Sequence, residues 1–270
     1  MKYYNIEKFD KTGLVKTLMV EKGQARWRIY SHNVVANMED IKYYEQLANI
    51  FKIKPDDMIR APQKHSNNIM VAKKDDGGKG VTKYEIEGDC DGIITNEKGL
   101  MLLTIEADCT PVFILDPVKR AVGMVHSGWR GTVNRITENA IRLMEENYGT
   151  KKENLMIYFG PAICGNCYEV GTDLISEFKK ILDDNQLDLV FKIKNDTNND
   201  KVRIGNLENE ENLKLLLDVT YALKLSLLKY GIKGFQIERS PICTYHGNIF
   251  DSWRLSGDKT KQMLTGIMLT

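Results

Sequence analysis

The chain is short of charge imbalance, of long apolar runs and of pairable cysteines. Its 38 basic and 37 acidic residues leave a formal net charge of +1. No basic stretch interleaved with aromatics occurs, so the electrostatic footprint of a nucleic-acid-binding protein is missing. The longest apolar runs fall far short of the roughly 20 residues that cross a bilayer. Residues Met1–Lys11 mix charges with aromatics and hold no apolar segment of signal-peptide length, so the cytoplasm is the expected location. Cysteines number five: Cys90, Cys109, Cys164, Cys167 and Cys243. An odd count in a mid-sized, unsecreted chain argues against a disulfide framework. No internal repeat is evident.

What is present is an ordinary globular composition, 42% hydrophobic over 270 residues, enough for a sizeable core. R-W-R-I-Y (26–30) reads as a strand. Residues 38–51 read as a helix, because Ile41, Tyr44, Leu47 and Ile50 or Phe51 recur at three- and four-residue steps. N-N-I-M-V-A (67–72) reads as a strand leaving His65. Four short apolar runs, D-G-I-I-T, L-M-L-L-T-I-E-A, P-V-F-I-L-D and R-A-V-G-M-V-H, are separated by turn signals. The short spacers suggest antiparallel or mixed pairing. Helices are expected over 132–148, about 170–183 and about 207–230, the last stopping at Gly231. Strands are expected at 154–160, 235–239 and 265–269. Residues 193–202 read as a polar loop. The sum is an α/β fold, one domain over 1–270, with a mixed β-sheet core and flanking helices.

Three residues stand out chemically. Cys109 immediately precedes one apolar run, His126 ends the next, and His65 precedes a third. If the first two runs are neighbouring strands, the thiol and the imidazole share one end of a sheet. One Cys and two His make a three-ligand zinc set that leaves a fourth position open, the pattern of catalytic rather than structural zinc. Cys109 beside His126 is equally the beginning of a thiol nucleophile, and the two roles compete for one sulfur. Asp91 and Asp108, at strand starts, are placed to orient a metal-bound histidine or to accept a proton. In S-G-W-R-G (127–131) the glycines permit close backbone approach, and Arg130 offers a charge-assisted fork to a phosphate. No Walker-type pattern accompanies it. C-G-N-C (164–167) has zinc-knuckle or redox spacing but no second matching pair, so it reads as two small residues in a turn. His32 and His246 read as surface residues.

Taken together, Q-K-H-S (63–66), D-G-I-I-T (91–95), A-D-C-T-P-V (107–112), H-S-G-W-R-G (126–131), G-P-A-I (160–163), C-Y-E-V-G (167–171) and F-D-S-W-R-L-S-G-D-K-T (250–260) resemble the YfiH-like, or laccase-domain, family often labelled polyphenol oxidase. The resemblance spans about 200 residues, in the family's order. It implies one metal site on His65, Cys109 and His126. It also implies zinc-dependent purine nucleoside chemistry: phosphorolysis of adenosine, inosine and methylthioadenosine to base and ribose 1-phosphate, and deamination of adenosine. The expected ligands are a nucleoside and phosphate, with Arg130 and Arg254 as binding residues, and Cys109, His126, Asp91 and Asp108 as catalytic ones. A homodimer is compatible with it. The laccase label would imply copper, but four histidines and one well-placed cysteine cannot build several copper centres. The chain departs from the family at 29–36, where a Ser-Thr-Arg and Gly-Gly loop is replaced, and at Leu255, where a second arginine is expected.

Overall fold

A computed structural model describes residues 1–24, 38–83, 87–194, 203–208, 210, 212–258 and 261–270. The strand expected at 26–30, the departure at 29–36 and His32 lie outside the described residues. In chain order the N-terminal part contributes β1 (Tyr3–Tyr4), α1 (Glu7–Asp10), β2 (Val15–Val20), α2 (Met38–Phe51), β3 (Met58–Arg60) and β4 (Ile69–Val71). The middle contributes β5 (Gly92–Thr95), β6 (Met101–Glu106), β7 (Thr110–Asp116), β8 (Ala121–Ser127), α3 (Trp129–Val133), α4 (Ile136–Tyr148) and β9 (Met156–Phe159). Next come β10 (Glu169–Val170), α5 (Asp173–Lys179), α6 (Asp184–Val190), β11 (Phe191–Ile193), β12 (Leu215–Leu217) and α7 (Val219–Lys229). The chain closes with β13 (Ile237–Arg239), α8 (Trp253–Ser256) and β14 (Met263–Leu269).

The α/β expectation is met, but the strands divide among three sheets. A five-stranded sheet runs β1-β2-β14-β6-β3, a six-stranded one β13-β9-β7-β8-β5-β4, and a small one β10-β12-β11. Phe113, Leu115, Val122 and Met124 from the six-stranded sheet join Met19, Leu102, Met263 and Ile267 from the five-stranded sheet in one buried cluster. The two large sheets therefore pack face to face. Helix α2 covers the outer face of the five-stranded sheet through Tyr44 and Leu47. Helices α4 and α7 cover the outer face of the six-stranded sheet through Ile141, Met144, Leu223 and Leu227. This accounts for the unbroken apolar runs of β6, β7 and β8: every residue in them is buried, because both faces are covered.

Three expectations need correction. The successive runs β5 and β6 do not pair; the chain changes sheet between them. The helix expected over 132–148 is two, broken where Arg135 takes a left-handed conformation, φ 58°. The helix expected over 207–230 begins only at Val219. Ahead of it, Leu215 and Leu217 point inward from a strand, and the Asp218 side chain accepts a hydrogen bond from the Tyr221 amide as the N-cap. A leucine-rich run fits both periods, and the cap residue marks where one gives way to the other. No helix among the described residues is long and apolar enough to cross a membrane.

Candidate metal centre and cleft

Antiparallel pairing of β7 with β8 sets Pro111 opposite His126 and Thr110 opposite Ser127. Cys109, one residue before β7, thus meets the Gly128 end of β8. Pairing of β5 with β8 sets Gly92 opposite Val125, and the His126 amide donates to the Asp91 carbonyl at 2.8 Å. Parallel pairing of β4 with β5 brings the 64–68 segment alongside, where the Asp91 amide donates to Asn68 O at 3.0 Å. Three separate strand ends therefore deliver His65, Cys109 and His126 to one spot.

Their donor atoms all lie within 4.8 Å of one another. Cys109 Sγ is 3.9 Å from His65 Nε2. The two imidazoles meet edge to face, centroids 4.9 Å apart. His126 is buried, Cys109 half-buried and His65 exposed, so the group has a protein side and an open side. Two nitrogens and one sulfur suit zinc, and three ligands facing a cleft match its catalytic pattern. His126 Nδ1 is already committed to Asp91 Oδ1 at 2.9 Å, which leaves Nε2 for a metal. The residues present therefore fit a single metal ion. Burial by itself would push the Cys109 thiol up. The positive charge of His126 and hydrogen bonds from both histidines bring it below its ordinary range instead. Burial disfavours the charged form of His126, yet the Cys109 sulfur and Asp91 together raise its affinity for a proton.

Asp91 is wholly buried behind this group. Its Oδ1 also accepts from the His65 amide at 2.9 Å, and its Oδ2 accepts from the amides of Lys64 and Ser66 and from Ser66 Oγ at 2.7–3.0 Å. Burial alone would raise this carboxyl. The hydrogen bond and charge of His126, with hydrogen bonds from the Ser66 side chain and backbone, pull it down to about 2. Backbone tension gathers here as well. Gln63, His65 and Asp108 have φ of 57°, 59° and 91°, a region costly for residues with a Cβ. All three line the same cleft.

That cleft measures about 690 Å³, within the ordinary range for small-molecule sites. Trp129, Tyr168 and Trp253 contribute aromatic surface, and Gln262 brings an amide oxygen with no hydrogen-bond partner. Arg130 stacks on Trp129 at 4.3 Å and Arg254 on Tyr168 at 4.8 Å, so both guanidinium groups lie against the cleft's aromatic walls. Arg254 also donates to the Glu169 carbonyl at 2.8 Å. Asp108 lines the cleft, with one oxygen accepting from Thr244 Oγ1 at 2.6 Å and the other from the Arg254 amide at 2.7 Å. The structure thus brings His65, Cys109, His126, Asp108, Arg130 and Arg254 to one cleft and sets Asp91 behind it. Leu255, after Arg254, is exposed.

Sequence reasoning missed several residues here. Glu106 is buried, with Oε2 accepting from Thr265 Oγ1 at 2.9 Å and Oε1 unpartnered. Burial raises its carboxyl to about 7 despite the opposing charge of His126. Its place at the end of an apolar strand was the available signal. The aromatic walls carried no periodic signal at all. His246, read as an isolated surface residue, instead lies beside Cys164, Cys167 and Cys243. The second pair that C-G-N-C lacked is C-T-Y-H, 79 residues further on.

Residues 31–270 match the family described as multi-copper polyphenol oxidoreductase laccase. The purine nucleoside phosphorylase YlmD of Bacillus subtilis (strain 168) is 31% identical over 230 residues, covering 84% of this chain and 76% of that one. Adenosine deaminase RL5, from an unknown prokaryotic organism, is 28% identical over 216 residues, covering 78% and 75%. The crystal structure of the Bacillus licheniformis hypothetical protein YfiH superposes with a TM-score of 0.83 at 24% identity, over 99% of this chain and 96% of that one, and so shares the fold. The chain belongs to the family described as multi-copper polyphenol oxidoreductase laccase.

Proposed function

We propose that the protein is a zinc-dependent purine nucleoside enzyme. It would cleave adenosine, inosine or methylthioadenosine with phosphate, and deaminate adenosine with water. The observation that carries this reading is the pairing of one open His-Cys-His group with an aromatic cleft bordered by two arginines. Relatives named purine nucleoside phosphorylase and adenosine deaminase support it. β14 pairs with N-terminal β2 and central β6, which supports reading residues 1–270 as one domain.

His65, Cys109 and His126 would hold the zinc, which when bound supplies a Lewis acid for a water or a substrate hydroxyl. Asp91 holds His126 in the tautomer that frees Nε2 and fixes the 64–66 backbone, so it acts as a positioning residue. Trp129, Tyr168 and Trp253 offer faces for a purine ring. Arg130 and Arg254 offer charge-assisted donors to phosphate. In phosphorolysis the bond between base and ribose breaks, a phosphate oxygen bonds to the anomeric carbon, and the base leaves with a proton. In deamination water adds at the purine carbon bearing the amine, and ammonia leaves. Asp108, at the cleft, is the carboxylate in reach for proton transfer.

The test is incubation of metal-assayed protein with adenosine, with and without phosphate, and chromatography of the products. Adenine that requires phosphate, or inosine that does not, is the expected result. No product from zinc-loaded protein overturns the reading. One observation favours a second reading: the lowered Cys109 thiol beside His126 is also what a metal-free thiol hydrolase needs. Iodoacetamide separates the two. A zinc-held Cys109 resists alkylation until chelator is added, whereas a free nucleophile is alkylated and inactivated directly. Copper and phenol oxidation fit poorly, since four histidines cannot supply several copper centres.

A further inference from the structure

β9 and β13 are parallel neighbours, with Ile157 opposite Ile237 and Phe159 opposite Arg239. Their C-terminal ends run on side by side. The Ser240 amide donates to Phe159 O at 2.8 Å, Ala162 bridges Cys243, and the Thr244 amide donates to Ala162 O at 3.1 Å. Each extension then makes a tight turn between two sulfur or nitrogen donors. In C-G-N-C the Cys167 amide returns to Cys164 O at 2.9 Å. In C-T-Y-H the Gly247 amide returns to Cys243 O at 2.9 Å. A Cβ on Gly247 would sit 2.3 Å from that carbonyl oxygen, so this turn closes only with glycine.

The two turns face each other. Cys167 Sγ is 3.2 Å from His246 Nδ1, and the Cys164 amide donates to Cys243 Sγ at 3.3 Å. All four donor atoms lie within 4.8 Å of one another. Two sulfurs held about 2.3 Å from a tetrahedral zinc stand about 3.8 Å apart, a spacing within the reach of donors this close together. Two C-x2-C/H turns supplying three sulfurs and one nitrogen make a closed, four-ligand set, unlike the three-ligand group in the cleft. None of the five cysteines is in a disulfide.

We propose that Cys164, Cys167, Cys243 and His246 bind a second, structural zinc ion that clamps these two turns together. The clamp bears on the cleft. Ile163 and Tyr168, on either side of the first turn, line it, and Thr244, inside the second, donates to Asp108. The proposal does not rest on the nucleoside reading, because its readout is metal and not turnover.

The experiment is zinc stoichiometry of protein purified under reducing conditions. Two zinc ions per chain are expected in the unmodified protein. One is expected in the Cys164→Ser, Cys167→Ser double variant, one in Cys109→Ala, and none in the combined triple variant. His246→Cys should retain the second ion, and His246→Ala should release it to a weaker chelator. If the double variant does not fold, cobalt substitution of Cys109→Ala decides the matter. Thiolate-to-cobalt charge transfer and tetrahedral visible bands are expected, since the three remaining clustered thiolates are intact. A single zinc lost entirely in Cys109→Ala overturns the second site while leaving the first standing. So does a Cys164–Cys167 disulfide in protein that takes up no second ion. No turnover of nucleosides by protein holding two zinc ions would instead overturn the proposed function alone.

Discussion

Asp91 Oδ1 accepts a hydrogen bond from His126 Nδ1 at 2.9 Å, and the same oxygen accepts from the backbone amide of His65. One buried carboxylate therefore positions two of the three residues in the candidate metal group, from strand ends 26 residues apart on one side and 35 on the other. Asp91→Ala should weaken zinc binding about 10- to 100-fold, the usual cost of losing such a partner. Competition with a chromogenic chelator measures it. Unchanged affinity would remove Asp91 from the site.

The same carboxylate predicts acid sensitivity. Its folded-state pKa, about 2 against an ordinary 3.8, means the unfolded chain takes up its proton first as pH falls. The stabilisation is present in full above about pH 4 and is lost as pH falls towards 2, amounting to about 2 kcal/mol. Denaturant titrations of metal-free protein across that window, compared with Asp91→Asn, should show a shallower slope in the variant, the remainder belonging to other lowered carboxylates such as Asp57 and Asp76.

Glu106 predicts the opposite slope at higher pH. Its carboxyl is raised from 4.5 to about 7, so between those values the folded chain holds a proton that the unfolded chain has released. Stability should fall as pH rises from about 4.5 to 7 and then level off. Glu106→Gln should flatten that slope in metal-free protein. A variant with the wild-type slope would show that another group causes it.

Gly128 separates metal binding from folding. A Cβ there would lie 2.9 Å from Cys109 Sγ and 3.1 Å from His65 Cδ2. Its own φ, −78°, is one any residue adopts. Gly128→Ala should displace the thiol and abolish zinc binding in the cleft with little change in melting temperature of the metal-free protein. Calorimetry with a zinc assay would show whether the two part company.

Arg130 distinguishes the two proposed reactions. Losing one charge-assisted contact costs about 1.5–3 kcal/mol, so Arg130→Ala should raise KM for phosphate about 10- to 100-fold. Deamination of adenosine, which uses water, should change little. Equal loss of both would mean that Arg130 holds the nucleoside instead.

Several elements were legible from spacing alone. Helix α2 falls on Met38–Phe51 as its three- and four-residue apolar steps require. The strands that carry Cys109 and His126 follow from apolar runs broken by turn signals. The cleft group was legible because His65 and Cys109 stand just before such runs and His126 ends one, where strand ends put them. The Asp218 boundary was misread, because consecutive leucines satisfy helix and strand alike. The division into three sheets was invisible, because a strand buried on both faces carries no mark of which neighbour it pairs with.

Composition and local pattern by themselves determined the α/β class, the lack of a basic stretch interleaved with aromatics and of long apolar runs, and three donors poised at strand ends. These depend on charge, run length and period, which act over a few residues. Tertiary structure alone decided that Asp91 stands behind the His-Cys-His group and not in the cleft. It also decided that Glu106 is buried with an orphan oxygen, and that Cys164 and Cys167 face Cys243 and His246. Those pairings depend on which strands lie side by side, and for residues 79 positions apart in the chain only the parallel register of β9 with β13 brings them together.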